Sequence, residues 1–282
     1  MNKLLKNKKK IAYWLDKYDV LDYDIVEDSS FVYKVNVYSN VNLSNKNLSS
    51  IDVKFSCIQG DFDCSHNNLT SLLGCPQKVL GEFNCIRNSI MSLDNFPEYI
   101  GSNIIISYNS IVQLKNIQDM VLGDFYCNNN ELLSLYGSPK FVASRFACQK
   151  NKLVNLLGSP QVVGGDFICC NNLLNSLEGV PEHIALEFDC SNNVLENLNF
   201  MPKMVGYILN VSNNKLSDIS ELNRLNIGKY INLKGNVDLR DIENFEAAQL
   251  FTYIKTLEEK KCIESSLEKS RDVIRKNKNL KL

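Results

Sequence analysis

Histidine is almost missing from this chain, with 2 among 282 residues, and tryptophan occurs once. His66 and His183 fall in unrelated stretches, so neither a metal-ligand spacing nor a nucleophile with its base can be assembled around them. Charge of one sign is missing too. Thirty-one lysines and arginines face 32 aspartates and glutamates, a formal balance of −1, which removes any general electrostatic pull toward nucleic acid or an anionic membrane. No apolar run reaches the roughly 18 residues of a membrane-spanning helix. At the start, the basic MNKLLKNKKK is followed by an apolar stretch that stops at Asp16, too short for a signal peptide. Gly164-Gly165-Asp166 is not followed by the lysine and hydroxyl of a phosphate loop. The expectation is no catalytic residue, no cofactor, no metal and no small-molecule substrate.

Proline is scarce as well, and its placement is the first positive signal. All 6 prolines, at 76, 97, 139, 160, 181 and 202, share one column of a 21-residue repeat, with Gln118 in the single vacant place. Asparagine marks the same period at 67, 88, 109, 130, 151, 172, 193 and 214. The residues ahead of it read Phe62/Cys64, Phe83/Cys85, Ile104/Ile106, Phe125/Cys127, Phe146/Cys148, Phe167/Cys169, Phe188/Cys190 and Leu209/Val211, and a leucine or isoleucine follows. A fixed period of this length means stacked supersecondary units, and 21 falls in the leucine-rich repeat window.

Each column suggests its own reason. Phe-x-Cys alternation is the period of a short strand with one buried face, and stacking such strands gives a parallel sheet. An asparagine turned inward carries an acceptor and two donors, so it can bond backbone of its own and adjacent turns together. Proline has no N–H to give a sheet, which predicts extended, polyproline-like outer segments. The cysteine column also accepts Ile106 and Val211, so its members read as small apolar core residues. Neighbours about 4.8 Å apart lie within disulfide range, but the side chains would point the same way, and packing in a reducing, cytoplasmic setting is the expectation.

The ends depart from the repeat. Ile11, Trp14, Leu15 and Tyr18 have helical spacing, and the stretches from Tyr23 to Glu27 and Phe31 to Val37 alternate like a hairpin around Asp28-Ser29-Ser30. Residues 1–40 are therefore expected as an N-terminal cap of helix plus hairpin, 41–236 as a solenoid of about ten turns, and 237–282 as a C-terminal helical cap. The fold class is mainly β, a superhelix with a parallel sheet on its concave face.

This pattern resembles the leucine-rich repeats of bacterial type III secreted effectors of the YopM and IpaH kind, with Phe-x-Cys in place of Leu-x-Val and one proline of their pair retained. The match covers residues 41–236. Similar Phe-x-Cys arrays are associated with bacteriophages and bacteria. The resemblance implies a protein-binding effector, one that engages or inhibits a host protein, a defence component included. IpaH-type effectors also carry a ubiquitin ligase domain with a catalytic cysteine in a C-x-D context. Here only Cys262-Ile263-Glu264 stands in that region, and ligase activity is not expected.

What the repeat leaves variable is the outward side of its strands, mostly Asn, Ser and Asp. Ile86, Ile105, Tyr108, Tyr126 and Ile168 interrupt it in the middle turns, flanked by Arg87, Arg145 and Lys150. Apolar and aromatic residues with arginine anchors on a concave face are the composition of a protein-binding surface. These eight residues are the expected partner contacts. Two other readings stay open: self-association through the charged C-terminal helix, and nucleic-acid binding through the basic termini.

Overall fold

The computed structural model describes residues 4–28, 32–236, 245–246 and 249. Each turn of the chain contributes two short strands separated by a corner of two or three residues. In one turn these are Lys78–Val79 and Phe83–Asn84, with Leu80, Gly81 and Glu82 between them. The second strand of every turn joins a long sheet of 11 strands, running from Val41–Asn42 to Tyr230–Asn232 in sequence order. Its eleventh strand, Phe245–Glu246, lies antiparallel on Tyr230–Asn232 and covers that edge. All other pairings in the sheet are parallel and 21 residues apart, Phe62 on Phe83 and Phe125 on Phe146, until Leu209 meets Ile231 after one inserted residue.

The alternation expected from Phe-x-Cys is what buries the core. Phe62, Phe83, Phe125, Phe146, Phe167 and Phe188 are fully enclosed, as are Cys64, Cys85, Cys127, Cys148, Cys169 and Cys190. Phenylalanine rings stack from turn to turn, with centroids 5.5 Å apart between Phe125 and Phe146 and 5.2 Å between Phe146 and Phe167. The nine described cysteines are free, and in the ladder they serve as core.

The asparagines close each turn onto the one before. Asn130 donates through Nδ2 to the Ile106 carbonyl at 3.0 Å and to Cys127 O at 3.1 Å, while its Oδ1 accepts from Ile111 N at 3.0 Å. Asn67, Asn88, Asn109, Asn151, Asn172, Asn193 and Asn214 repeat the arrangement. Asn236 keeps it across the inserted residue, bonding Val211 O and Leu233 O and accepting from Leu216 N.

The proline segments differ from the sequence expectation. Two residues past each proline the chain pairs with its neighbours and forms a second sheet, so the outer segment is extended but hydrogen-bonded across turns. Proline stands just before the paired residues, where its missing N–H is not needed. At the one turn between Pro76 and Pro202 that lacks proline the second sheet is interrupted. Tyr99–Ile100 ends a 5-stranded sheet and Met120–Val121 begins a 6-stranded one. Gln118 fills the gap: its Oε1 accepts from Ile100 N at 2.7 Å, and its Nε2 donates to Ile100 O at 2.8 Å and Met120 O at 2.6 Å.

At the N-terminal end, the helix Lys8–Lys17 starts on Asn7, whose side chain accepts from Lys10 N, and buries Ile11, Trp14 and Leu15. Trp14 meets Phe55 edge-on at 6.3 Å, and Phe55 meets Phe62 at 5.4 Å, which ties the helix to the phenylalanine stack. Strands Tyr23–Glu27 and Tyr33–Val37 pair antiparallel, and the latter joins the second sheet beside Phe55–Ile58. The helical expectation for 237–282 falls outside the described residues, apart from 245–246 and 249. Among the described residues, no helix is long and apolar enough to cross a membrane.

Candidate interaction face

The outward position of the long sheet has a structural duty at both ends of the stack. Asn42, Asp63 and Asn84 accept the N–H two residues ahead, from Ser44, Ser65 and Ile86, at 3.0, 2.8 and 3.0 Å. Asp189, Asn210 and Asn232 do the same for Ser191, Ser212 and Lys234, at 2.9, 3.2 and 3.1 Å. Such a bond fixes the bend by which the chain leaves the strand. The four turns between lack it, because the same column there reads Ile105, Tyr126, Ala147 and Ile168. Three of these are half-buried and Ala147 is buried, which makes a continuous apolar floor four turns long, or about 14 Å at sheet spacing.

The next outward column is not the solvated face that the sequence suggests. Ser65, Ser107, Asn128, Ser191 and Ser212 are buried, and Ser107 donates to Asn128 Oδ1 at 2.6 Å. The chain folds inward here, toward the asparagine ladder, so that between the end turns of Ser44 and Lys234 only Ile86, Gln149 and Cys170 stay half-buried in this column. Ile86 therefore lies in the wall beside the floor.

One residue further, every turn adopts a left-handed backbone: Asn45, His66, Arg87, Tyr108, Asn129, Lys150, Asn171, Asn192 and Asn213 all have φ between 52° and 56°. Asparagine tolerates that conformation, whereas for Arg, Tyr and Lys it costs about 1–2 kcal/mol. Arg87, Tyr108 and Lys150 thus occupy the strained places, and all three are exposed. The Arg87 guanidinium sits 5.1 Å from the Tyr108 ring centroid, a cation–π contact along this rim.

On the other side of the strands the flanking column is acidic. Asp61, Asn103, Asp124 and Asp166 each accept the N–H of the corresponding residue one turn on, Glu82, Asp124, Arg145 and Glu187. Arg145 stands in this column, and its Nε and Nη2 both reach Asp166 Oδ2, at 3.0 and 2.6 Å. The bond to Asp166 is the main reason its pKa is raised, so it remains a cation. Tyr126 OH donates to Asp124 Oδ2 at 3.0 Å, and burial followed by that bond pushes its phenol up. Burial alone would raise Asp124, but hydrogen bonds from Ser144, Arg145 N and Tyr126 outweigh it and hold the carboxyl low. Burial first, then Asp189 and Asp166, raises Glu187.

The eight residues singled out in the sequence thus separate into four rows. Ile105, Tyr126 and Ile168 form the floor, Ile86 the wall, Arg87, Tyr108 and Lys150 one rim, and Arg145 the opposite flank. Sequence reasoning passed over Ala147 and the carboxylates of Asp124 and Asp166, although one signal for the floor was available: four successive turns without Asn or Asp in a column that has them at both ends. His66 stands on the left-handed rim and His183 outward on the second sheet. Among the described residues, no group of three or more His, Cys, Asp or Glu is placed to hold a metal ion.

By its strand register and asparagine ladder the chain is a leucine-rich repeat solenoid. Among solved structures it is similar to YopM from Yersinia enterocolitica WA-314, with 20% identity and a TM-score of 0.49, over 71% of this chain and 55% of that one. The chain therefore spans little more than half the length of that protein's chain. No protein-family model matches it. No curated protein matches it either.

Proposed function

We propose that this solenoid is a non-catalytic scaffold that binds another protein on the long sheet, over the floor formed by Ile105, Tyr126, Ala147 and Ile168. One observation carries the reading: these four turns give up a hydrogen bond that the turns on either side make, and put apolar groups in its place. Folding alone gains little from that exchange where three of the four side chains are left half-exposed. The strained rim points the same way, since bulky left-handed residues persist where a function holds them. A partner segment would lay apolar side chains on the floor, acidic groups toward Arg87 and Lys150, and basic groups toward Asp124, Asp166 and Glu187.

The division into a cap over 1–40, a solenoid over 41–236 and a second cap over 237–282 belongs to this proposal, as does a reducing, cytoplasmic setting for the free cysteines. The finer reading, an effector that engages or inhibits a host protein, is supported by the resemblance of the repeat alone. Affinity capture from the native host context tests both levels. The double variant Ile105→Asp/Tyr126→Ala should remain folded by its melting curve and lose the protein that the wild type captures. A folded double variant that keeps every partner removes the floor from consideration.

A further inference from the structure

We propose that the outer face of the 6-stranded second sheet docks a second copy of this chain, the two solenoids running antiparallel about the turn of Gln161 and Val162. The outward position of that sheet reads Met120, Phe141, Val162, His183 and Met204 in successive strands. Met120 is 54% exposed, Val162 46% and Met204 37%. A sheet face that meets water is normally polar, and this one is apolar at four of its first five turns, with Asn226 outward in the sixth strand closing the array. The interruption at Gln118 bounds the array on one side. Within it, methionines stand at both ends and Val162 at the centre.

The flanking column names the occupant. Asp119, Lys140, Gln161, Glu182 and Lys203 precede those five residues, and their charges run negative, positive, neutral, negative, positive. That order is antisymmetric about Gln161. A two-fold axis along the Gln161 strand direction brings Lys140 to Glu182 of the second copy and Asp119 to its Lys203, so all four contacts join opposite charges. The same axis sets Val162 on Val162 and Met120 on Met204. Moving it half a turn either way opposes Asp119 to Glu182 or Lys140 to Lys203, and parallel stacking opposes each charge to itself. Among registers that overlap three or more of the five turns, only this one escapes repulsion.

Inside one chain these residues already pair across turns, Lys140 Nζ with Asp119 Oδ2 and Lys203 Nζ with Glu182 Oε2, both at 2.7 Å. All four side chains are more than half exposed, and pairs of that kind contribute little by themselves, so they can be shared with a second copy at small cost. The small residues beside the array have another explanation. A Cβ on Gly101, Gly164 or Gly206 would stand 2.0 to 2.2 Å from a carbonyl oxygen of the preceding turn, so stacking itself demands them. The apolar column has no such internal reason.

Five outward side chains and their flanks make an interface at the small end of the range, which sets the expected association in the micromolar regime. Sedimentation equilibrium of the full chain from about 5 to about 200 µM should show a monomer–dimer equilibrium. Asp119→Lys with Lys140→Asp preserves the pair inside the chain but opposes like charges across the axis. It should weaken the dimer about tenfold or more with an unchanged melting temperature. Adding Glu182→Lys and Lys203→Glu restores every opposition, and the dimer should return to within about threefold of wild type. A monomer at every concentration overturns the proposal. So does a dimer indifferent to the first swap, which would place self-association elsewhere on the chain, or one that the second swap does not rescue.

Discussion

Asparagine has two opposite uses in this chain, and single substitutions separate them. In the ladder its amide is bonded to backbone on both sides and, at Asn130 and Asn151, buried. Asn130→Ala leaves Ile106 O, Cys127 O and Ile111 N without their partner, and Asn151→Ala does the same one turn on. Each should cost about 1–3 kcal/mol in denaturant unfolding. On the left-handed rim the side chain matters less than the backbone. Tyr108→Asn puts at φ 54° the residue type that Asn129 and Asn171 show in the same column. Relief of left-handed strain, about 1–2 kcal/mol, exceeds the loss of the Arg87 contact, about 0.5–1 kcal/mol. The variant should therefore melt higher than wild type; a lower melting temperature would mean that Tyr108 serves stability instead of a partner. The sequence showed the ladder because a strict period exposes it. The left-handed column stayed hidden, since asparagine marks five of its nine places but His66, Arg87, Tyr108 and Lys150 break the run.

Among elements, the strands of the long sheet were legible from Phe-x-Cys alternation, as were the helix Lys8–Lys17 and the hairpin after it. The second sheet was not. Two paired residues per turn leave no period of their own in the text, and proline beside them argues for unpaired backbone. Gln118 looked like a lapse in the proline column, yet its amide takes up the bonds of Ile100 that a neighbouring strand makes elsewhere. Gln118→Ala should destabilise the protein by about 1–3 kcal/mol. The Ile100 amide should also exchange with solvent faster, read by hydrogen exchange, while amides such as Phe146 N far along the long sheet keep their protection. Equal exchange at Ile100 would show that the two second sheets meet without the glutamine.

At the scale of the whole molecule, stability is a sum over turns that share one core, and the cysteines make that sum depend on pH. Burial pushes the thiols of Cys75, Cys85, Cys127, Cys148, Cys169 and Cys190 above their ordinary value. A raised thiol pKa means that the folded state holds its proton while the unfolded chain loses it above about pH 8.5. The contribution is complete below that pH and is lost as pH rises toward the folded value, at up to about 1.4 kcal/mol per pH unit for each thiol. Melting temperature should thus hold between about pH 7 and 8 and fall steeply by about pH 9.5, before lysine and tyrosine titrate. A flat profile would mean that the thiols are not enclosed as a ladder. The same column, read in the sequence as core because isoleucine and valine replace cysteine in it, could not reveal this coupling without knowledge of burial.

The central claim is that the long sheet sets aside four turns for a partner instead of for its own folding. Its most direct test restores what those turns lack, with Ile105, Tyr126, Ala147 and Ile168 all replaced by Asn, the residue that Asn84 and Asn210 place in the same column. Capture by this variant and by wild type is compared in the native host context, with melting curves as the control for folding. The account predicts a solenoid at least as stable as wild type that no longer retains the partner. A variant that melts well below wild type, or that stays folded and retains the partner undiminished, contradicts it.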